Sequence, residues 1–196
     1  MEMSQLQELL LQSLAHERGG VKVYETALQC ARNQDLKEEF SRYHEQTKKH
    51  ASILEQLCQS LKIDPSQQTP GVKVVDSLGR ALVEAMQLAL SAGKPDAAEI
   101  VACECVVLAE TKDHLDWQLL SACAREGNDP QANALKAAAE QVEDEEDEHL
   151  YHSRGWCREL WLKSLGLKAV LPPPEEEQDV KTAIGAARAE KSAHPH

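Results

Sequence analysis

Apolar residues recur at helical spacing in four long stretches of the chain, bounded by Gly, Pro, Asn and Asp residues. The predicted long helices span about 4–32, 35–62, 95–126 and 131–165. A shorter helix fits about 74–92, between a loop with two prolines and the stop formed by Gly93 and Pro95. Because Phe, Trp and Tyr make up only 4% of the residues, the signal for β-strands is weak. The pattern predicts an all-α protein.

The order of these helices predicts how they pack. One hairpin is followed by a long crossover that contains the short extra helix, and a second hairpin comes after it. This is the connectivity of a four-helix bundle with one long crossover, which we assign to residues 1–166. Residues 167–196 contain three consecutive prolines and are otherwise polar, so we expect a flexible C-terminal tail.

Composition narrows the class of protein. A hydrophobic content of 42% in 196 residues is sufficient for one sizeable core. A net charge of −12 argues against nucleic acid or an anionic membrane as a partner, whereas it attracts cations. No apolar run approaches the roughly 20 residues needed to cross a bilayer, and a basic leader is not apparent. We therefore expect a soluble cytoplasmic protein, either a monomer or a homodimer.

Ionisable residues lie on the apolar faces of the first two predicted helices. At about 100° per residue, Glu17 falls at the centre of the first stripe. The second stripe contains Thr47 and His50. A buried carboxylate is rare unless it is paired or bound to a metal. These positions therefore indicate a buried polar site.

The second hairpin offers further candidates. Ile100, Leu108 and Leu115 surround Glu104 on the third long helix, and Glu110 falls to one side, so Glu104 is the preferred inward residue. Its height differs from that of Glu146 on the fourth helix by about 9 Å, which the connecting loop would have to absorb.

On the fourth long helix, three candidate ligands follow one another at a spacing of three residues. They are Glu143, Glu146 and His149, and Glu146 lies at the centre of the apolar face. The acidic run around them is more often a solvated face. Carboxylates on three separate helices nevertheless favour convergence around a cation.

The expected metal ligands are carboxylates and imidazoles that share the inward faces of the helices. They are Glu17, His50, Glu104, Glu143, Glu146 and His149. Such a set suits iron, with one or two ions bound, and manganese or zinc are alternatives. The six cysteines contain no C-x-x-C pair, so a thiolate site of the zinc-ribbon type is not encoded.

These residues resemble the ligands of the ferritin-like superfamily of di-metal carboxylate proteins. That superfamily uses one Glu from each of two helices and a Glu-x-x-His from each of the other two. Within it, the stretch YHEQTKKHASILEQLCQSLKIDP is similar to bacterial ferritin-like stress proteins of the domain-of-unknown-function 892 type. The resemblance implies a di-iron or iron/manganese protein that oxidises Fe(II) with oxygen or peroxide, a ferroxidase-like oxidoreductase in metal or oxidative stress.

One residue departs from this pattern. Thr47 stands where the superfamily has a metal-bridging glutamate, which leaves the second metal position and the oxygen chemistry open. Three alternatives to the ferroxidase follow. The chain could be a single-metal binder, a metal-free bundle with an interaction or structural function, or a non-haem di-iron oxygenase that acts on an organic substrate.

Overall fold

Helices form the regular structure of residues 2–194, the part of the chain described by a computed structural model. The long helices are α1 (Met3–Cys30), α2 (Gln34–Ser60), α3 (Pro70–Ser91) and α4 (Pro95–Arg125). The later helices are α5 (Pro130–Ala139), α6 (Glu143–Ser164), α7 (Pro174–Glu177) and α8 (Ala183–Ala193). Residues 2–194 contain no strand, as the weak β signal predicts.

Short polar side chains fix the starts of several helices. The side chain of Asn33 accepts hydrogen bonds from the backbone N–H groups of Asp35 and Leu36 at 2.9 and 3.3 Å. Thr69 caps α3 in the same manner and is followed by a proline at the first helical position. Such caps satisfy N–H groups that have no partner inside the helix. The hairpin between α1 and α2 is therefore as tight as the sequence predicts.

The bundle is built from α1, α2, α4 and the α5–α6 pair. Helix α1 packs against α2 and α4, and α4 packs against α5 and α6. The crossover helix α3 lies against α1 and α4. The predicted all-α four-helix bundle, with a long crossover that contains an extra helix, is confirmed.

The core consists of two apolar clusters, one toward each end of the bundle. One includes Tyr24, Phe40 and Trp156, and the other includes Leu10 and Leu120. Between the two apolar clusters, the main helices carry buried polar residues such as Glu17, His50 and Glu146. The bundle thus has a polar layer near its middle.

The inward face of α4 differs from the one predicted. Leu108, Leu115 and Leu119 are 62%, 51% and 43% exposed. The buried face is formed mostly by smaller residues, such as Ala102 and Val106. Because three leucines lie on the outside, hydrophobic periodicity selected the wrong side of this helix.

The last part of the chain also departs from expectation. The predicted helix over about 131–165 is divided at residues 140–142, where backbone hydrogen bonds to the third preceding residue tighten the chain.

Beyond α6, the segment expected to be a flexible tail folds back on this helix. Arg158 holds Glu175 through two hydrogen bonds of 2.6 and 2.9 Å, and Val180 and Ala189 are buried. We call residues 172–193 the C-terminal strap.

None of the helices within the described range combines the length and the apolar character required to cross a membrane.

Candidate metal centre

Five buried ionisable side chains meet in the polar layer, and none is more than 3% exposed. They come from α1, α2, α4 and α6, so all the main helices contribute to one site. We call them the mid-bundle cluster: Glu17, His50, Glu110, Glu146 and His149.

Glu146 is at the centre of the mid-bundle cluster. Its Oε1 is 2.8 Å from Nδ1 of His50 and 3.6 Å from Nδ1 of His149. Nδ1 of His50 is 3.7 Å from Oε1 of Glu17, and Nδ1 of His149 is 3.4 Å from Oε2 of Glu110. These contacts form two groups of three residues, in each of which one ligand atom per residue lies within 4.8 Å of the others. Both groups contain Glu146.

The outer nitrogen of each imidazole is held by a neighbouring side chain. Nε2 of His50 lies 2.7 Å from Oε2 of Glu145, and Nε2 of His149 lies 2.9 Å from Oε1 of Gln46. Because the partner of each Nε2 is a carboxylate or amide oxygen, which accepts a hydrogen bond, Nε2 carries the ring proton. Nδ1 of each neutral ring then keeps its lone pair. Both lone pairs face the other members of the mid-bundle cluster, as ligands of a metal require.

Two further donors orient the outer carboxylates. Nε1 of Trp117 donates to Oε1 of Glu17 at 2.8 Å, and the hydroxyl of Tyr24 donates to Oε1 of Glu110 at 2.7 Å. Each donor occupies one oxygen and leaves the second oxygen directed elsewhere. Tyr24, which the sequence places on the inward face of α1, therefore positions a carboxylate in addition to packing in the core.

Six atoms of the mid-bundle cluster make no hydrogen bond of acceptable geometry among residues 2–194, although some lie close to one another. They are Oε2 of Glu17, Nδ1 of His50, Oε2 of Glu110, both carboxylate oxygens of Glu146 and Nδ1 of His149. Buried polar atoms are nearly always paired, since leaving one unpaired costs about 1–3 kcal/mol. Oxygen and imidazole donors together suit iron, manganese or zinc. The residues present therefore fit a bound metal centre.

Burial changes the pKa values of the carboxylates in the mid-bundle cluster. Burial raises the pKa of Glu17 to about 8, although the nearby His50 acts to lower it. Burial and the charge of Glu110 raise the pKa of Glu146 well above its ordinary value. For Glu110 itself burial also acts upward, but contact with His149 outweighs it and lowers the pKa. A metal ion would reverse the first two shifts, since it favours the ionised form of its ligands.

The structure brings four of the six expected ligands together, namely Glu17, His50, Glu146 and His149. Glu104 is not among them. It is only half-buried, and its Oε1 accepts a hydrogen bond of 2.9 Å from Nε1 of Trp161. Glu143 is exposed in the first turn of α6. The structure therefore places both residues outside the expected site. Glu104 lies on the face of α4 that was wrongly predicted to point inward, and Glu143 lies where the chain turns from α5 into α6.

Glu110 is the member that the sequence analysis missed. It lies six residues after Glu104, which corresponds to about 9 Å along a helix. This displacement equals the height mismatch between Glu104 and Glu146, so the mismatch was the available signal for Glu110. The exposed leucines of α4 outweighed that signal.

Comparison with known proteins places this geometry in a family. Searches of curated proteins and of solved structures found no match. The narrower resemblance to proteins of the domain-of-unknown-function 892 type is not confirmed. The family model described as "Ubiquinone biosynthesis protein COQ7" matches residues 4–155, a range that contains every member of the mid-bundle cluster. The chain therefore belongs to the COQ7 family, a ferritin-like family of di-iron carboxylate proteins.

Proposed function

We propose that the chain binds two iron ions in the mid-bundle cluster and uses oxygen to hydroxylate a quinone-type aromatic ring. The observation that carries the proposal is the set of six buried donor atoms without partners. Membership of a di-iron family supports the metal, and the family's description supports the substrate class, since it names ubiquinone biosynthesis. Of the alternatives left open by the sequence, this corresponds to the non-haem oxygenase.

In this proposal each residue group has a defined task. Glu146 belongs to both groups of three, so it would be a ligand shared by the two ions. Glu17 and His50 would hold one ion, and Glu110 and His149 would hold the other. When bound, ferrous iron supplies the electrons with which oxygen is reduced.

The surrounding residues keep the ligand atoms in place. Glu145 and Gln46 fix the imidazole orientations through 2.7 and 2.9 Å contacts. The pKa of Glu145 falls to about 2, mainly through its hydrogen bond with His50, so this carboxylate is ionised near neutral pH. The apolar clusters on both sides of the polar layer exclude water from it.

Ferroxidase activity, which the superfamily resemblance implied, remains a prediction. In a ferroxidase, added Fe(II) would itself be the electron source, and oxygen consumption would need no organic compound. The hydroxylase would insert one oxygen atom into a C–H bond of the ring and release the other as water, with the two electrons this needs supplied by two ferrous ions and restored by oxidation of a second quinol to quinone. These requirements separate the two activities in a single oxygen-uptake assay.

The test compares two glutamates of α4. After anaerobic reconstitution with Fe(II), elemental analysis is expected to find roughly two ions per chain in the wild type and in Glu104→Gln. Glu110→Gln is expected to bind fewer, because it replaces a charged ligand. Glu104 is the matched control because it lies on the same helix but outside the mid-bundle cluster.

Oxygen uptake then tests the reaction. We expect sustained uptake, beyond the single turnover that the bound ferrous ions support, only when excess benzoquinol is added, with a hydroxylated ring and a quinone as products. Uptake driven by Fe(II) alone would identify a ferroxidase instead. A wild type without bound iron, or equal iron content in Glu110→Gln, would refute the metal site itself.

A further inference from the structure

Helix α2 contributes only one ligand to the mid-bundle cluster. Thr47, one turn before His50, is 2% exposed and lies in the polar layer. Its hydroxyl donates to the backbone carbonyl of Tyr43 at 2.9 Å. Its methyl group packs against Gly20 of α1, so closely that a β-carbon added to this glycine would lie 3.2 Å from it. The side chain is therefore committed to its own helix and to α1, and it carries no charge for a metal.

This loss leaves the proposed site short of one negative charge. Two divalent ions carry four positive charges, whereas Glu17, Glu110 and Glu146 supply three negative ones and neutral imidazoles supply none. An uncompensated charge in a buried site is unfavourable. Glu145, which contacts His50, is already paired with Lys49 at 2.9 Å, so a different carboxylate near the cluster would be needed to restore neutrality.

Asp113 is such a carboxylate. It lies on α4 between Glu110 and Trp117, both of which reach into the mid-bundle cluster, and it is 4% exposed. Its Oδ1 has no hydrogen-bond partner in the described part of the chain. Glu146, Glu17 and Glu110 are the charged groups that act on it most strongly.

No protein cation among residues 2–194 neutralises Asp113. Lys112 is directed to Asp116, with Nζ 2.5 Å from Oδ2. His114 contacts Asp147 at 3.3 Å, and His16 bonds to a backbone carbonyl of α4. The basic side chains beside Asp113 in the sequence are thus engaged with other acidic groups, and a buried carboxylate in this position needs a positive charge from elsewhere.

We propose that Asp113 supplies the fourth negative charge of the metal centre, in place of the carboxylate that position 47 lacks. The inference rests on the proposed function, since it requires two bound ions. Asp113 belongs to neither group of three atoms within 4.8 Å, so its part is that of a counter-charge beside the ligands. It makes retention of the second ion possible without a glutamate on α2.

The experiment measures metal binding, independently of turnover. Purified chain is titrated anaerobically with Fe(II), and in parallel with Mn(II), to obtain the stoichiometry and both Kd values. In Asp113→Asn the second Kd is expected to rise at least about tenfold, because a unit charge beside a divalent ion has been removed. Asp116→Asn is the matched control: it is equally buried on α4 but is paired with a lysine.

A double variant tests the exchange of charge directly. Adding Thr47→Glu to Asp113→Asn returns a carboxylate on α2, and we expect the second ion to bind again. Without metal, Asp113→Asn is expected to unfold at the same or a higher temperature than the wild type, because it removes a buried carboxyl group that has no partner for its Oδ1. That measurement separates loss of binding from loss of folding.

The outcomes distinguish the inference from the function on which it rests. Two ions bound with unchanged affinity in Asp113→Asn would overturn the inference and leave the proposed function standing. A single ion per wild-type chain, unaffected by the substitution, would also overturn it. If the wild type binds no ion, the proposed function fails first.

Discussion

Glu17 provides a direct test of the electrostatics of the mid-bundle cluster in chelator-treated protein. Burial raises its pKa from 4.5 to about 8, against the opposing effects of His50 and Trp117. In the unfolded chain the same carboxyl loses its proton near pH 4.5. Because the pKa is higher in the folded state, the protonated Glu17 side chain stabilises the folded protein relative to the ionised one. This contribution to the free energy of unfolding is complete below about pH 4.5 and is lost as the pH rises toward 8.

The expected effect is largest where other groups have finished titrating. Each pH unit between the two pKa values changes the free energy of unfolding by about 1.4 kcal/mol, so a rise from pH 6.5 to 8 removes about 1.5 kcal/mol through Glu17. For a chain of this size that corresponds to a decrease in Tm of roughly 3 to 6 °C. Glu146 and Asp113, whose pKa values burial also raises, act in the same direction. His16 and His149 oppose it mainly below pH 6.5, because burial lowers their pKa values.

The assay is thermal unfolding followed by circular dichroism, at several pH values from 6.5 to 8 with chelator present. Glu17→Gln is the informative variant, because its amide oxygen still accepts the hydrogen bond from Trp117 but has no charge to titrate. The wild-type Tm is expected to fall more steeply with pH than that of the variant, by the 3 to 6 °C above. Parallel curves would refute the reasoning, since they would mean that Glu17 does not carry its proton in the folded state.

Two further predictions concern residues outside the mid-bundle cluster. Glu145→Gln weakens the hold on Nε2 of His50, and we expect metal affinity to fall about tenfold to a hundredfold with little change in the helical circular dichroism; an unchanged Kd would contradict this. Gly155→Ala places a methyl group 2.6 Å from a carboxylate oxygen of Glu175 and 3.0 Å from Cβ of Pro173, so the C-terminal strap should separate from α6. Amide hydrogen exchange in residues 172–193 is then expected to accelerate while iron content stays constant, and unchanged protection of the strap would show that the contact yields instead.

The sequence predicts the fold well because helical spacing of apolar residues, with its breaks at Gly, Pro, Asn and Asp, sets the helix lengths and the crossover, even where the buried face is misjudged. Glu17 and His50, for example, lie on the inward faces to which the periodicity assigns them, and both are fully buried. The C-terminal strap was harder to predict, since its buried apolar residues, such as Val180 and Ala189, are few and widely spaced. Arg158 and Glu175 come from separate elements, and neither has an apolar pattern that reveals the pairing.

The site was predictable wherever ionisable residues interrupt a strong stripe. Glu17 and His50 do so on α1 and α2, and Glu146 does so on α6. Helix α4 carries the opposite distribution, with leucines outside and small or acidic residues inside. The spacing of hydrophobic residues favours Glu104 on this helix, whereas the position along the helix axis that matches Glu146 is that of Glu110. The error was therefore one of face rather than of chemistry.

The inward face of α4 also explains why a cation belongs in this bundle. Four of its acidic residues are buried: Glu99, Glu110, Asp113 and Asp116. Glu99 accepts two backbone N–H groups of the α1–α2 turn at 2.6 Å, Asp116 has a lysine, and one oxygen of Glu110 accepts a hydrogen bond from a tyrosine. Asp113 alone has no such partner among the described residues, and it lies beside the three carboxylates of the mid-bundle cluster. Since burying unpaired carboxylates costs several kcal/mol each, a bound metal ion would supply the stabilising partner that this helix lacks among the described residues.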